Sequence, residues 1–425
     1  MNNKRVVITG IGPYINAGKG KEVLWDTVIN NKFIVSGIPE SFEKNHSLSS
    51  KFYVPFPEFE YSETGLHGKY ERITENTSRL AVICAKTALE DAGYNLSAKD
   101  DIPFFNDDLS SASVILGIGI SGMKSSFEIF LLHALGHNQQ VIQELQASSH
   151  FNRMIVPMIM PNSISSWISI LFGMHGANFT VNTACSSGNY AIGEAYRKIK
   201  DGYNEIVIAG GIENFKDNTG TIMRGFDTLG ALTKSSDGKP MPFSKQRSGF
   251  LFSEGAGCIL ILEEYQRAVK RNAPVYAEIG GFEANSDAKN IVLMDEKGVD
   301  ISNIIRDLSQ GNTIDYINSH GTGTILNDEI EAKVIKDIFG SKSHQPLINS
   351  TKGILGHSIG ASAAIEAAVC AMSVQRNVVH ANLSTDNIED LNIAEATTDK
   401  KINAALSLSY GFGGHNSGLL FKKLV

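Results

Sequence analysis

Short runs of apolar, largely β-branched residues recur along the whole chain, at Arg5–Thr9, Ser113–Leu116, Glu205–Ala209, Cys258–Leu262, Asp315–Asn318, Ala404–Ser407 and Gly418–Phe421. Helical patterns lie between them, among them Ser78–Ala92, Ser187–Lys200, Asp328–Phe339 and Ala361–Gln375. A strand that is apolar on both faces must be covered on both, and helices alternating with such strands supply that cover. The expectation is an α/β protein with buried sheets. Residues 33–75 and 95–112 are polar and rich in turn formers, so they read as surface excursions. No Pro- or Ser-rich linker interrupts the pattern, which predicts one compact body.

The 425 residues are enough for a large core, and 45 acidic against 38 basic side chains leave a formal charge of −7. That balance argues against a nucleic-acid or anionic-membrane binder, which would carry a basic face. The four cysteines, Cys84, Cys185, Cys258 and Cys370, have no CxxC spacing, so neither a disulfide framework nor a zinc site is expected and a reducing cytoplasm is the natural home. The N-terminus runs directly into a strand without a signal-peptide core. No segment reaches the ~18 apolar residues that a membrane span needs.

Cys185 stands out among the four. It follows the β-branched run ending at Val181 and precedes a helix whose Ala191, Ile192, Ala195 and Ile199 share one face. A thiol on such a strand-to-helix turn is pushed out of the sheet, and the free N–H groups of the helix start favour thiolate over thiol. The competing reading is a buried structural cysteine. A weak internal echo accompanies it: Cys185 precedes the small-residue helix starting at Ser187, and His357 precedes another starting near Ile359. A duplicated βα unit with one functional side chain at each helix start would account for it, as would chance similarity of two Ala-rich helices.

Three further segments belong with the Cys185 turn. His320 ends an apolar strand in Asn318-Ser319-His320-Gly321-Thr322-Gly323-Thr324, with Asn327, Asp328 and Glu331 close behind. Lys352-Gly353-Ile354-Leu355-Gly356-His357 is no phosphate-binding loop, because the Gly-x-x-x-x-Gly-Lys order is absent. Tyr410-Gly411-Phe412-Gly413-Gly414-His415 closes the set. Singly, each can be an ordinary turn. Together, one cysteine and two histidines at strand-to-helix junctions point to nucleophilic acyl transfer.

In this order and at these spacings the four segments resemble the β-ketoacyl-(acyl-carrier-protein) synthases of the Cys-His-His type, and the resemblance spans nearly the whole chain. It implies the thiolase-like fold, two duplicated α/β halves stacked as five αβαβα layers and usually dimeric. It places an N-terminal half carrying the nucleophile over residues 1–264 and a C-terminal half carrying both histidines over 265–425. It implies a decarboxylative Claisen condensation of an acyl chain held on Cys185 with a malonyl group on acyl carrier protein. By the same resemblance His320 and His357 stabilise the enolate left by decarboxylation. The N–H groups of Cys185 and Phe412 form an oxyanion hole, Lys352 and Glu331 make a supporting ion pair, and Phe412 gates the acyl pocket. Thr322 and Thr324 contact the phosphopantetheine arm of the carrier. The implied partners are the carrier protein and a second ketosynthase-type subunit, either identical or a Cys-less chain-length factor, with no metal and no cofactor beyond the carrier's arm.

The sequence also departs from the family pattern. Ser244 and Ser248 stand where aspartates are usual, and Lys289–Asp295 replaces the usual loop beside the gate. These departures hint at a type II polyketide ketosynthase as much as at fatty-acid elongation. A degradative thiolase would place a second cysteine where His415 stands. A non-catalytic chain-length or scaffold subunit would have lost Cys185.

Overall fold

The computed structural model describes residues 4–120 and 154–424. Ten strands lie on one hydrogen-bonded path: β1 (Val6–Ile15), β2 (Ser113–Gly117), β3 (Asn178–Val181), β4 (Ile206–Asn214), β5 (Gly255–Glu264), β6 (Ala277–Ser286), β7 (Tyr316–Asn318), β8 (Leu347–Asn349), β9 (Ala404–Gly411) and β10 (His415–Lys422). From the middle outward, one side reads β1-β5-β4-β2-β3 and the other β6-β10-β9-β7-β8. Each side therefore runs first, fifth, fourth, second, third in its own chain order. The ladders repeat as well. β2 is parallel to β3 and β4, as β7 is to β8 and β9, while the remaining pairs are antiparallel. The two sides meet where β1 pairs antiparallel with β6, Val6 opposite Ile279.

Among the described residues, the helices that bear on the site and its layers are α1 (Asn76–Asp91), α2 (Ser163–Phe172), α3 (Ser187–Lys200), α4 (Val299–Ser309), α5 (Ile325–Phe339), α6 (Lys352–Leu355) and α7 (Ser362–Arg376). Strand alternation decides which residues go to which layer. On β4, Ile206 and Ile208 join α1 and α2 in one core, whereas Val207 and Ala209 join α3 and α7 in another. On β9, Leu406 and Leu408 pack with α4 and α5, whereas Ala405 turns to the same α3–α7 core. The α3–α7 pair is thus sandwiched between the two sides of the sheet, and the outer helices complete five layers. Helix α7 is buried from Ser362 to Val374, which is why its sequence is apolar all round. No helix among the described residues is long and apolar enough to cross a membrane.

The excursions hold more structure than their polarity suggested. Residues 95–112 contain a small hairpin, Ser97–Lys99 with Ile102–Phe105, and bury Phe104 and Leu109. In the 33–75 stretch, Phe42, Val54 and Phe56 are buried.

Candidate active site

Both central helices start alike. A 3₁₀ turn, Ala184–Ser186, leads into α3, and another, Ile359–Ala361, leads into α7. Ala184 and Ile359, the first residues of these turns, sit in the left-handed region at φ 52° and 47°. For a β-branched residue that conformation is strained, so the surrounding packing must hold it. The internal echo is therefore real, but its register differs from the sequence reading. Cys185 corresponds to Gly360, and His357 lies before the turn, on a segment that has no counterpart between Val181 and Ala184. That segment includes α6 and brings Lys352 and His357 to Cys185.

Cys185, His320, His357, Thr322, Thr324 and Phe412 all line one cavity of about 270 Å³. The rings of His320 and His357 stand 5.8 Å apart, edge to face, and Phe250 packs edge-on against His357 at 5.1 Å. His357 Nδ1 lies 3.0 Å from Ser362 Oγ. That oxygen accepts from the Ser358 N–H and lies 3.2 Å from Ser358 Oγ, and we assign its own hydrogen to the nearer Nδ1. The assignment leaves the ring proton on Nε2, a buried atom with no protein partner. His320 Nδ1 is likewise buried without a partner. Burial, and secondarily the charge of Lys352, hold both histidines well below the usual imidazole range, so both are neutral at pH 7. Neutral imidazoles lining a cavity can donate a ring N–H to an oxygen bound there.

Cys185 is buried, and burial pushes its thiol up to about 11. Lys352 and hydrogen bonds from the N–H groups of Phe412 and of Cys185 itself pull the other way, but they do not prevail. The expectation that the helix start favours thiolate is corrected here: desolvation exceeds it, and the resting group is a thiol. The same two N–H groups converge on the sulfur from opposite sides of the sheet. Phe412 belongs to the Gly411–Gly414 turn joining β9 to β10, in which Gly413 and Gly414 have φ 86° and 77°. A Cβ on Gly411 would stand 2.4 Å from Thr183 O, so only glycine lets this turn approach the Cys185 turn.

The expected Lys352–Glu331 ion pair is also corrected. Lys352 Nζ lies 2.6 Å from Glu366 Oε1 and donates to His320 O at 2.8 Å. Glu331 accepts instead from the N–H groups of His320 and Gly321, at 2.8 and 2.9 Å. The physical reason is reach. Glu331 on α5 sits beneath the peptide after β7 and is consumed there, while Glu366, one turn into α7, faces α6. Glu366 was missed in the sequence, although a single carboxylate within an otherwise apolar helix was the signal. Lys352 and Glu331 thus still hold His320, from its carbonyl and its amide respectively.

Other lining residues were not foreseen individually. Leu229 and Phe250 form one wall, and Val292, Leu293 and Met294 form the wall beside Phe412. The latter belong to the unusual Lys289–Asp295 loop, which is tied to the gate turn by Gly413 N–H donating to Ile291 O at 2.8 Å. Thr322 and Thr324 share a hydroxyl contact of 2.8 Å at the rim. Ser248 also lines the cavity, and its Oγ accepts from the Lys234 N–H.

Comparison with known proteins agrees with this geometry. Residues 3–267 match the family model for the beta-ketoacyl synthase N-terminal domain, and residues 276–386 match that for the C-terminal domain. The chain is 31% identical to 3-oxoacyl-(acyl-carrier-protein) synthase 2 of Vibrio harveyi, over the full length of both. It is 32% identical to the synthase 2 of Staphylococcus aureus, over 99% of each chain. Among solved structures, the ishigamide ketosynthase/chain length factor superposes with a TM-score of 0.84 at 26% identity, covering 100% of both chains.

Proposed function

Because the chain belongs to the β-ketoacyl synthase family and has its thiolase-like fold, we propose that Cys185, His320 and His357 are the groups through which it condenses an acyl chain with malonyl-acyl carrier protein. The observation that carries this reading is the convergence of one thiol, two neutral imidazoles and two backbone N–H groups on a single apolar cavity.

The steps balance with these groups and one proton from solvent. The Cys185 sulfur attacks the carbonyl of an acyl thioester, an S–C bond forms, and the thiol proton leaves with the departing carrier sulfur. In the malonyl thioester the bond to the carboxylate breaks, CO₂ departs, and the electron pair moves onto the thioester oxygen. His357 Nε2–H and the His320 ring donate to that oxygen. The enolate carbon then attacks the Cys185 thioester. Its carbonyl oxygen becomes an oxyanion held by the N–H groups of Cys185 and Phe412, and collapse yields β-ketoacyl carrier protein and expels the Cys185 sulfur as a thiolate, which takes up one proton from solvent to restore the resting thiol.

Lys352 and Glu331 fix His320 in this scheme, and Phe412 with the loop 289–295 governs entry. Thr322 and Thr324, at the rim, are placed to meet the phosphopantetheine arm. Loss of CO₂ drives the carbon–carbon bond, so the substrates' carrier-borne arm is the cofactor requirement we assign, within the cytoplasm. The halves divide at 264/265, and the partners we assign are an acyl carrier protein and a second ketosynthase-type subunit. The test is Cys185→Ala assayed with carrier-bound acyl and malonyl groups. Product formation should vanish, and normal product formation would overturn the assignment.

A further inference from the structure

Glu213, the last but one residue of β4, is fully buried, and nothing in the reaction scheme uses it. Its Oε1 accepts hydrogen bonds from the N–H of Gly119 and, at 3.1 Å, from that of Gly360, and its Oε2 accepts from Ile120 N–H at 3.4 Å. The cradle is built for a carboxylate. A Cβ on either Gly119 or Gly360 would stand 2.6 Å from Oε1, so both positions must lack one for the oxygen to fit. Burial pushes the carboxyl up to about 8, and the three N–H groups pull it back toward the charged form.

The contacts continue on both sides. Gly119 O accepts from Asn182 Nδ2 at 2.8 Å, and Asn182 Oδ1 accepts from Ala184 N–H at 3.2 Å, one residue before the nucleophile. Gly360 lies in the turn that directly follows His357 and Ser358, and the neighbouring Ile359 packs in the same apolar cluster as Cys185. An unbroken chain of hydrogen bonds therefore runs from the Cys185 turn through Asn182, Gly119 and Glu213 to the turn behind His357.

We propose that Glu213 is a positioning residue that sets the separation of Cys185 and His357, its carboxylate serving as the joint between the turn that carries one and the turn that braces the other. The inference rests on the roles proposed above for these two residues.

Two variants of the intact protein test it. Gly119→Ala displaces the carboxylate while keeping its charge. Glu213→Gln keeps an oxygen for Gly119 and Gly360 but turns an NH₂ toward the Ile120 N–H and removes the charge. For CO₂ release from malonyl-carrier protein, both should lower kcat at least tenfold while KM stays within about twofold. Alkylation of Cys185 by iodoacetamide separates the two. Lys352 and Glu213 are the charged groups acting on this thiol, with His320 and His357 neutral beside it, and Glu213 raises it. The midpoint should fall in Glu213→Gln and stay in place in Gly119→Ala. Folded Glu213→Gln protein with wild-type kcat would overturn the inference, as would losses in kcat that only track the folded fraction. If Cys185→Ala itself retains turnover, the reading of the site fails. If Cys185→Ala is inactive and Glu213→Gln is fully active, the inference alone fails.

Discussion

Replacing Lys352 by methionine should destabilise the protein in a way that depends on pH, and the structure fixes the dependence. Lys352 and Glu366 are 2% and 1% exposed, and the lysine also donates to the His320 carbonyl. Even with the lysine present, burial pushes Glu366 up to about 7 from an ordinary 4.5. A carboxyl whose folded pKa is raised loses stability as pH climbs past its unfolded value, and the loss stops growing once pH passes the folded value. In the wild type it therefore levels off near pH 7. Without Lys352 the folded pKa moves higher still, so the loss continues at about 1.4 kcal/mol per pH unit above 7. The gap between wild type and Lys352→Met from this source is then close to zero at pH 6.5 and about 2 kcal/mol at pH 8.5. The orphaned His320 carbonyl adds about 1–3 kcal/mol at every pH. Urea unfolding of both proteins at the two pH values measures the sum, with Lys352→Met/Glu366→Gln as the control whose gap should not widen. A gap for the single variant that stays constant within about 0.5 kcal/mol would refute the reasoning, since Lys352 would then not be what keeps Glu366 charged.

Two more expectations concern the catalytic groups. Ser362→Ala removes the partner of His357 Nδ1 and with it the fixed tautomer, so CO₂ release should fall about tenfold, and because it also orphans the Ser358 N–H the protein should lose about 1–3 kcal/mol of stability, as rates and urea unfolding will show. In the free enzyme, iodoacetamide should label Cys185 at a rate rising about tenfold per pH unit from 7 to 10, with no plateau near the ordinary cysteine range of about 8.5, as mapped by mass spectrometry.

The strands that sequence reading located were those apolar on both faces, such as β5 and β9, because their burial on two sides writes itself into composition. β6 was missed because one of its faces is only partly covered and its Gly280-Gly281 pair breaks the run. β8, no shorter than β7, was missed because Pro346 directly before it reads as a turn. At the site, Cys185, His320, His357 and Phe412 were legible because turns at strand ends carry distinctive glycine and small-residue spacing. The partner of Lys352 was not. Two carboxylates lie within reach in the sequence, and only the packing of α6 against α7 decides between them. The thiol's protonation was misjudged for a related reason: a helix start is visible in a sequence, but the depth at which it is buried is not.

The repeated strand order has a consequence for how such a protein could have arisen. Each central turn is completed by a strand end from the other side of the sheet: Phe412 reaches Cys185, and Glu213 reaches Gly360. A single-copy ancestor with this strand order could have finished its turn only by borrowing the strand end of a second, identical chain. Fusion of two such copies would make that exchange intramolecular and leave each copy free to differ at the matching positions, as Cys185 and Gly360 do.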